Sequence, residues 1–131
     1  MPAGLDTSVL RIDPPVTGVE PCPLRFDAPE GIGTKRLYII GHPGGGDLSF
    51  SINDNLLIGW KDPRLHYRTP TEPGSSGSPG FETERNVIAV HHSGDAGVAR
   101  LDGPGTYDAN EGIWMDAVKR AVNAPAAEGP R

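Results

Sequence analysis

An all-β domain with one short C-terminal helix is the fold this sequence predicts, on three observations. Eighteen Gly and 14 Pro are scattered through the 131 residues rather than gathered into a low-complexity block, which implies many turns between short extended segments. The apolar runs are short, rich in Val, Ile and Leu, and bounded by Gly, Pro, Asn or Asp, as strands are. Apolar residues at helical spacing gather near the C-terminus. A chain of this length supports one ordinary core, so a single domain is expected.

Taken in order, residues 8–12 (SVLRI) place Val9, Leu10 and Ile12 ahead of Asp13-Pro14-Pro15 and read as a short strand. From 13 to 34 periodicity vanishes and proline and glycine become dense, which marks a connecting segment draped over a surface. Residues 35–40 (KRLYII) form a second strand, ended by Gly41 and the GHPGGG run that cannot continue it. Residues 48–52 and 55–60 read as an antiparallel pair turning at Asn53-Asp54, with 65–67 as a further extended piece, a spacing that suits a barrel. After the loop TPTEPGSSGSPG, residues 86–92 (NVIAVHH) are the most β-branched run, entered through the turn Glu84-Arg85-Asn86. Ile113, Ala117, Val118, Ala121 and Val122 predict a helix over 113–122, which APAA breaks, leaving 123–131 as a flexible tail.

The formal charge of -5 and an isoelectric point near 5.2 argue against a phosphate-neutralising surface, so no nucleic-acid partner is expected. No stretch is long and apolar enough to span a bilayer, and MPAGLDTSVL lacks the basic start and apolar run of a signal peptide. The expectation is a cytoplasmic protein with no membrane partner. The single cysteine, Cys22, allows no internal disulfide and reads as a loop residue between prolines.

The richest stretch is Gly74-Ser75-Ser76-Gly77-Ser78-Pro79. A serine nucleophile in acyl transfer needs an exposed hydroxyl and backbone N–H donors aimed at the developing oxyanion, and flanking glycines permit the tight backbone this requires. Gly74 and Ser76 would be those donors. An ordinary turn or flexible linker can carry the same residues.

Pro79, Phe81 and the strand ending His91-His92-Ser93-Gly94 add context. Together with YIIGHPGG, LHYRTPTEPGSSGSPGFE, VIAVHHSG and NEGI in that order, the loop resembles trypsin-like serine peptidases of the bacterial glutamyl-endopeptidase branch. The resemblance covers about residues 35 to 118 and implies the C-terminal six-stranded antiparallel barrel of the chymotrypsin fold over 35–122. It also implies a remnant last strand of the N-terminal barrel over 1–12 and an inter-barrel linker over 13–34. By it Ser76 is the nucleophile, Asp6 the orienting acid of an Asp-x-x-Leu-like strand, and Thr71 and His91 hold an acidic side chain before the scissile bond. His92, Ser93 and Gly94 complete the substrate-binding edge, and no metal or cofactor is implied. Pro70 and Gly80 depart from the pattern, Gly80 weakening the strand after the loop.

The resemblance also implies a histidine several tens of residues before Asp6, and only five residues precede it. His42 and His66 read as structural or surface residues. His91 and His92 are consecutive on a strand and so point to opposite faces, His91 inward and His92 toward Asp6. The expectation is therefore a truncated serine endopeptidase, inactive alone, acting on peptide or protein substrates only with its missing N-terminal barrel. The alternatives are a non-catalytic module that binds peptides, or an interaction domain whose Gly/Ser loop is only a turn. An apolar face left bare by a missing barrel would favour self-association.

Overall fold

The computed structural model describes residues 4–125; residues 1–3 and the 126–131 part of the expected tail lie outside the described residues. Seven strands form one antiparallel sheet: β1 (Tyr38–Gly41), β2 (Ser49–Ser51), β3 (Leu57–Lys61), β4 (Arg64–Tyr67), β5 (Pro79–Phe81), β6 (Val87–Ala99) and β7 (Thr106–Trp114). A 3-10 turn spans Pro43–Gly45, and helix α1 (Met115–Asn123) follows β7 directly. The spatial order is β2-β1-β5-β6-β7-β4-β3.

A bridge between Arg36 and Leu56 closes this order into a barrel. There the Leu37 amide donates to the Asn55 carbonyl (2.8 Å) and the Leu57 amide to the Lys35 carbonyl (2.9 Å). β2 and β3 are thus two halves of one bent strand, both running beside residues 36–41, and with the two merged the barrel is the six-stranded one expected. Asn53-Asp54 is accordingly not a hairpin turn. From the pair Ile39↔Ser51 to the bridge Arg36↔Leu56 one strand advances three residues and the other five, so the surplus bulges out. The bulge is pinned by fully buried Asn55, whose Oδ1 accepts from Arg36 (3.0 Å), while Asp54 takes a positive φ of 43°.

The core is Leu37, Ile39, Leu57, Leu65, Tyr67, Ile88, Ala89 and Trp114, with Trp60 packed against it. Trp60 meets Trp114 edge to face at 5.3 Å, a geometry that adds about 0.5–1.5 kcal/mol beyond area burial. α1 caps one end of the barrel with Ala117 and Val118; it is too short to cross a membrane, as is every helix among the described residues. It begins two residues later than expected, because the ladder with β4 and β6 keeps 113–114 extended.

One further expectation is corrected. Residues 8–12 form no strand, and Val9, Leu10 and Ile12 are exposed: among the described residues no strand pairs with them, and an unpaired backbone has no ladder to hold it extended. Gly80 lies in the three-residue β5, whose pairing with β6 shifts register between Gly80 and Phe81, and a Cβ there would press on the Leu37 side chain at 3.2–3.4 Å. Residues 13–34 run over the surface, pinned at Leu24, which bridges Val87.

Candidate functional site

The loop carrying Ser76 is held from three sides. Two tight turns shape it, the Ser75 amide donating to the Glu72 carbonyl (3.0 Å) and the Ser78 amide to the Ser75 carbonyl (3.1 Å). Two bonds join it to β6, from the Gly77 amide to the His91 carbonyl (2.8 Å) and from the His91 amide to the Ser78 carbonyl (2.9 Å). The third support is the GHPGGG turn: the Gly44 amide donates to the Pro73 carbonyl (2.8 Å), and a Cβ at Gly74 would stand 3.1 Å from the Gly45 nitrogen. Gly74 and Gly77 have φ of 96° and 88°, which only glycine adopts without strain.

The result is a presented hydroxyl. Ser75 and Ser78 are buried, whereas Ser76 is exposed and its Oγ donates to the His92 carbonyl at 3.3 Å. Among the described residues the amides of Gly74 and Ser76 donate to no acceptor. No imidazole nitrogen accepts the Ser76 proton there either.

β6 and β7 distribute the remaining polar groups between two faces. On the first, Tyr67 of β4 opposes Asn110 of β7, Asn110 opposes Gly94 of β6, and His91 opposes Gly112. The Tyr67 hydroxyl lies 2.7 Å from His91 Nδ1. Thr71 Oγ1 donates to Asn110 Oδ1 (2.9 Å), whose Nδ2 donates to the Thr69 carbonyl (2.6 Å). Burial, with a smaller contribution from the Glu111 charge, pushes Tyr67 above the ordinary phenol range, so it keeps its proton. Burial, then the neighbouring His92, pulls His91 down to about 4.

On the second face Glu111 is the hub. Its Oε2 lies 2.6 Å from His66 Nε2 and its Oε1 2.7 Å from His92 Nε2, with Arg64 Nε at 3.7 Å. His66 Nδ1 bonds the Tyr107 hydroxyl (2.7 Å), and His92 Nδ1 lies 3.3 Å from the exposed Asp6 carboxylate. Burial opposes ionisation of Glu111, but the hydrogen bonds from His66 and His92 and the Arg64 charge outweigh it and hold the carboxyl at about 2. His92 follows His91 on the strand and so lies on this face, and an extra residue there passes the pairing from His91↔Gly112 to Ser93↔Glu111.

The predicted residues therefore fall into two groups. Ser76, Gly74, His92 and Asp6 gather around the loop, Thr71 and Gly94 meet Asn110, and His91 meets Tyr67 on the same face. Ser93 is exposed between them on β6. His42 bonds the Gly46 carbonyl through Nδ1 (3.0 Å) within its own turn. Sequence reasoning missed Tyr67, Asn110 and Glu111; the Asn-Glu-Gly run in β7 was the available signal, since alternate residues of a strand address opposite faces.

An exposed serine on a glycine-framed loop that leaves a closed antiparallel barrel is the layout of a barrel-type serine hydrolase. The model of the trypsin-like peptidase domain family matches residues 2–90, and the chain belongs to that family. The match takes in Asp6 and Ser76 and stops just before His91. No curated protein and no solved structure matches the chain.

Proposed function

We propose that this chain carries the nucleophile of a serine endopeptidase. Ser76 Oγ attacks the scissile carbonyl and its proton passes to an imidazole; the C–N bond then breaks, the amine leaves with that proton, and water hydrolyses the acyl ester. The Gly74 and Ser76 amides take the oxyanion, and Asp6 orients the base. Thr71 and His91 read the side chain before the scissile bond, with Ser93 and Gly94 along the peptide's edge. Peptides or proteins are the substrates. The observation that carries the reading is the exposed Ser76 hydroxyl flanked by two unengaged amides on a loop fixed from three sides.

The base in this reading is contributed by polypeptide beyond residues 4–125, because both nitrogens of His92 face carboxylates and His91 faces Tyr67. The same observation favours a second reading, a peptide-binding module without turnover. A fluorescent fluorophosphonate probe separates them. The chain is treated alone and as translated with any in-frame upstream sequence, each beside Ser76→Ala. Labelling of the longer product that vanishes in Ser76→Ala is the expected result; no labelling of either, while an extended peptide still binds, leaves the binding module.

A further inference from the structure

We propose that the cavity between the β3–β4 hairpin and the 100–105 connection of β6 to β7 binds a phosphate dianion, taken free or as the monoester of a small apolar body. The site makes no use of Ser76 and stands whether or not that serine is a nucleophile.

The ladder builds the first wall. β3 and β4 pair Lys61 with Arg64 and Gly59 with His66, so these four residues share one face of the hairpin, with two cations directly opposite each other beside the turn. Side chains so placed stand about 5 Å apart at Cβ, and like charges there are destabilising. Little in the chain relieves them. Lys61 is exposed and has no ion-pair partner among the described residues, and Arg64 comes no closer to Glu111 than 3.7 Å.

Gly59 draws in the second wall. A Cβ there would stand 2.6 Å from the Tyr107 hydroxyl and 3.7 Å from Leu101 Cβ, so its bare backbone is what lets the connection fold onto the hairpin. The Arg100 amide closes that connection on the Gly105 carbonyl (3.1 Å). The Arg100 guanidinium lies 5.1 Å from the centre of the Tyr107 ring, and its one carboxylate partner among the described residues is Asp102, two positions on. An exposed pair of this kind is weak and yields readily to another anion.

Between the walls is a space of about 500 Å³, lined by Lys61, Arg64 and Arg100 and by the apolar Pro63, Val98 and Leu101. Two carboxylates also line it, and each is already held: Asp62 by Arg120 (2.6 Å), Glu111 by His66 and His92. What is left unmatched is positive, in a chain whose net charge is -5. A tetrahedral dianion turns oxygens to both walls at once, whereas a single planar carboxylate meets one arginine fork and leaves the other cations unmatched. The space far exceeds that of a phosphate group, and the apolar edge gives an ester body a surface to pack on.

The test is calorimetric titration and intrinsic-fluorescence melting of the chain at about pH 8, where phosphate and its monoesters are dianions. Inorganic phosphate, phenyl phosphate and benzoate are compared at constant ionic strength. Both phosphates should bind at one site; tighter binding of phenyl phosphate assigns the monoester, and otherwise the free ion is assigned. Lys61→Gln and Arg100→Gln should each weaken binding by about tenfold, while Arg11→Gln, exposed and outside the cavity, should leave it unchanged. Lys61→Gln should also melt higher than the unaltered chain when no phosphate is present, because it relieves the opposed cations, and should gain less when phosphate is added. No saturable binding, benzoate bound as tightly as phenyl phosphate, equal weakening in all three variants, or a Lys61→Gln chain that melts lower without phosphate overturns the proposal.

Discussion

His91 and His92 are neighbours in sequence, but the β6–β7 ladder gives them to opposite faces and each face treats an imidazole differently. On one face Tyr67 and burial keep His91 uncharged, and every hydrogen bond around it is between neutral groups. On the other, His92 lies between two carboxylates and Glu111 is shared by two imidazoles and an arginine. Position on a strand therefore says less about a histidine than the residues across the ladder do. The neutral face is held by hydrogen bonds among uncharged groups, and the charged face ties Asp6 to the barrel.

Acid titration should separate the faces, the neutral one giving the larger effect. His91 has a folded value near 4 against an ordinary 6.5, so below pH 6.5 the unfolded chain takes up a proton that the native state refuses. Stability should fall by about 3 kcal/mol between pH 6.5 and 4, read by urea denaturation, and His91→Gln should flatten that window. A wild-type curve already flat there would mean that His91 is protonated in the native state and that the faces do not differ as described.

Next in size is Gly94→Ala. Its Cβ would displace Asn110 Oδ1, breaking the bonds to Thr69 and Thr71 on the neutral face alone. Overpacking of this kind costs about 2–3 kcal/mol, and the pH dependence below 4.5 should be unchanged. Loss of both windows in this variant would show that the two faces are one coupled unit.

The charged face should give the smallest effect and at lower pH. Glu111 is held near 2 against an ordinary 4.5, so its contribution is complete above pH 4.5 and is lost as pH falls from 4.5 toward 2. With the carboxylate partly open to solvent, that amounts to about 2 kcal/mol. Glu111→Gln should remove this limb and leave the one between 6.5 and 4 in place.

Much of this arrangement was legible in the sequence where one residue type has one physical use. The glycines of GSSGSP stand where φ is positive, and the β-branched NVIAV run forms the buried start of β6. β7 was not legible: TYDANEGIW has little intrinsic β preference, and its strand state comes from being paired on both sides by β4 and β6. The Asn53-Asp54 bulge looks like a hairpin in the sequence because a tight turn and a bulge use the same residues, and only the partner strand tells them apart. In the candidate site the nucleophile loop was local and readable. Tyr67, Asn110 and Glu111 were not, because each acts on a residue 19 to 45 positions away.

The bridge at Arg36 and Leu56 also has a meaning for how the chain reaches this shape. The hairpins β1–β2, β3–β4, β5–β6 and β6–β7, and the bridge itself, join residues near one another in sequence, so little loop entropy is lost in forming them. Two ladders, Tyr38 with Phe81 and Arg64 with Ile113, close loops of forty residues or more, beside the single bridge of Leu24 to Val87. Those two ladders carry most of the entropic cost of the topology, and the second of them is the one that sets Asn110 beside Tyr67 and Glu111 beside His66.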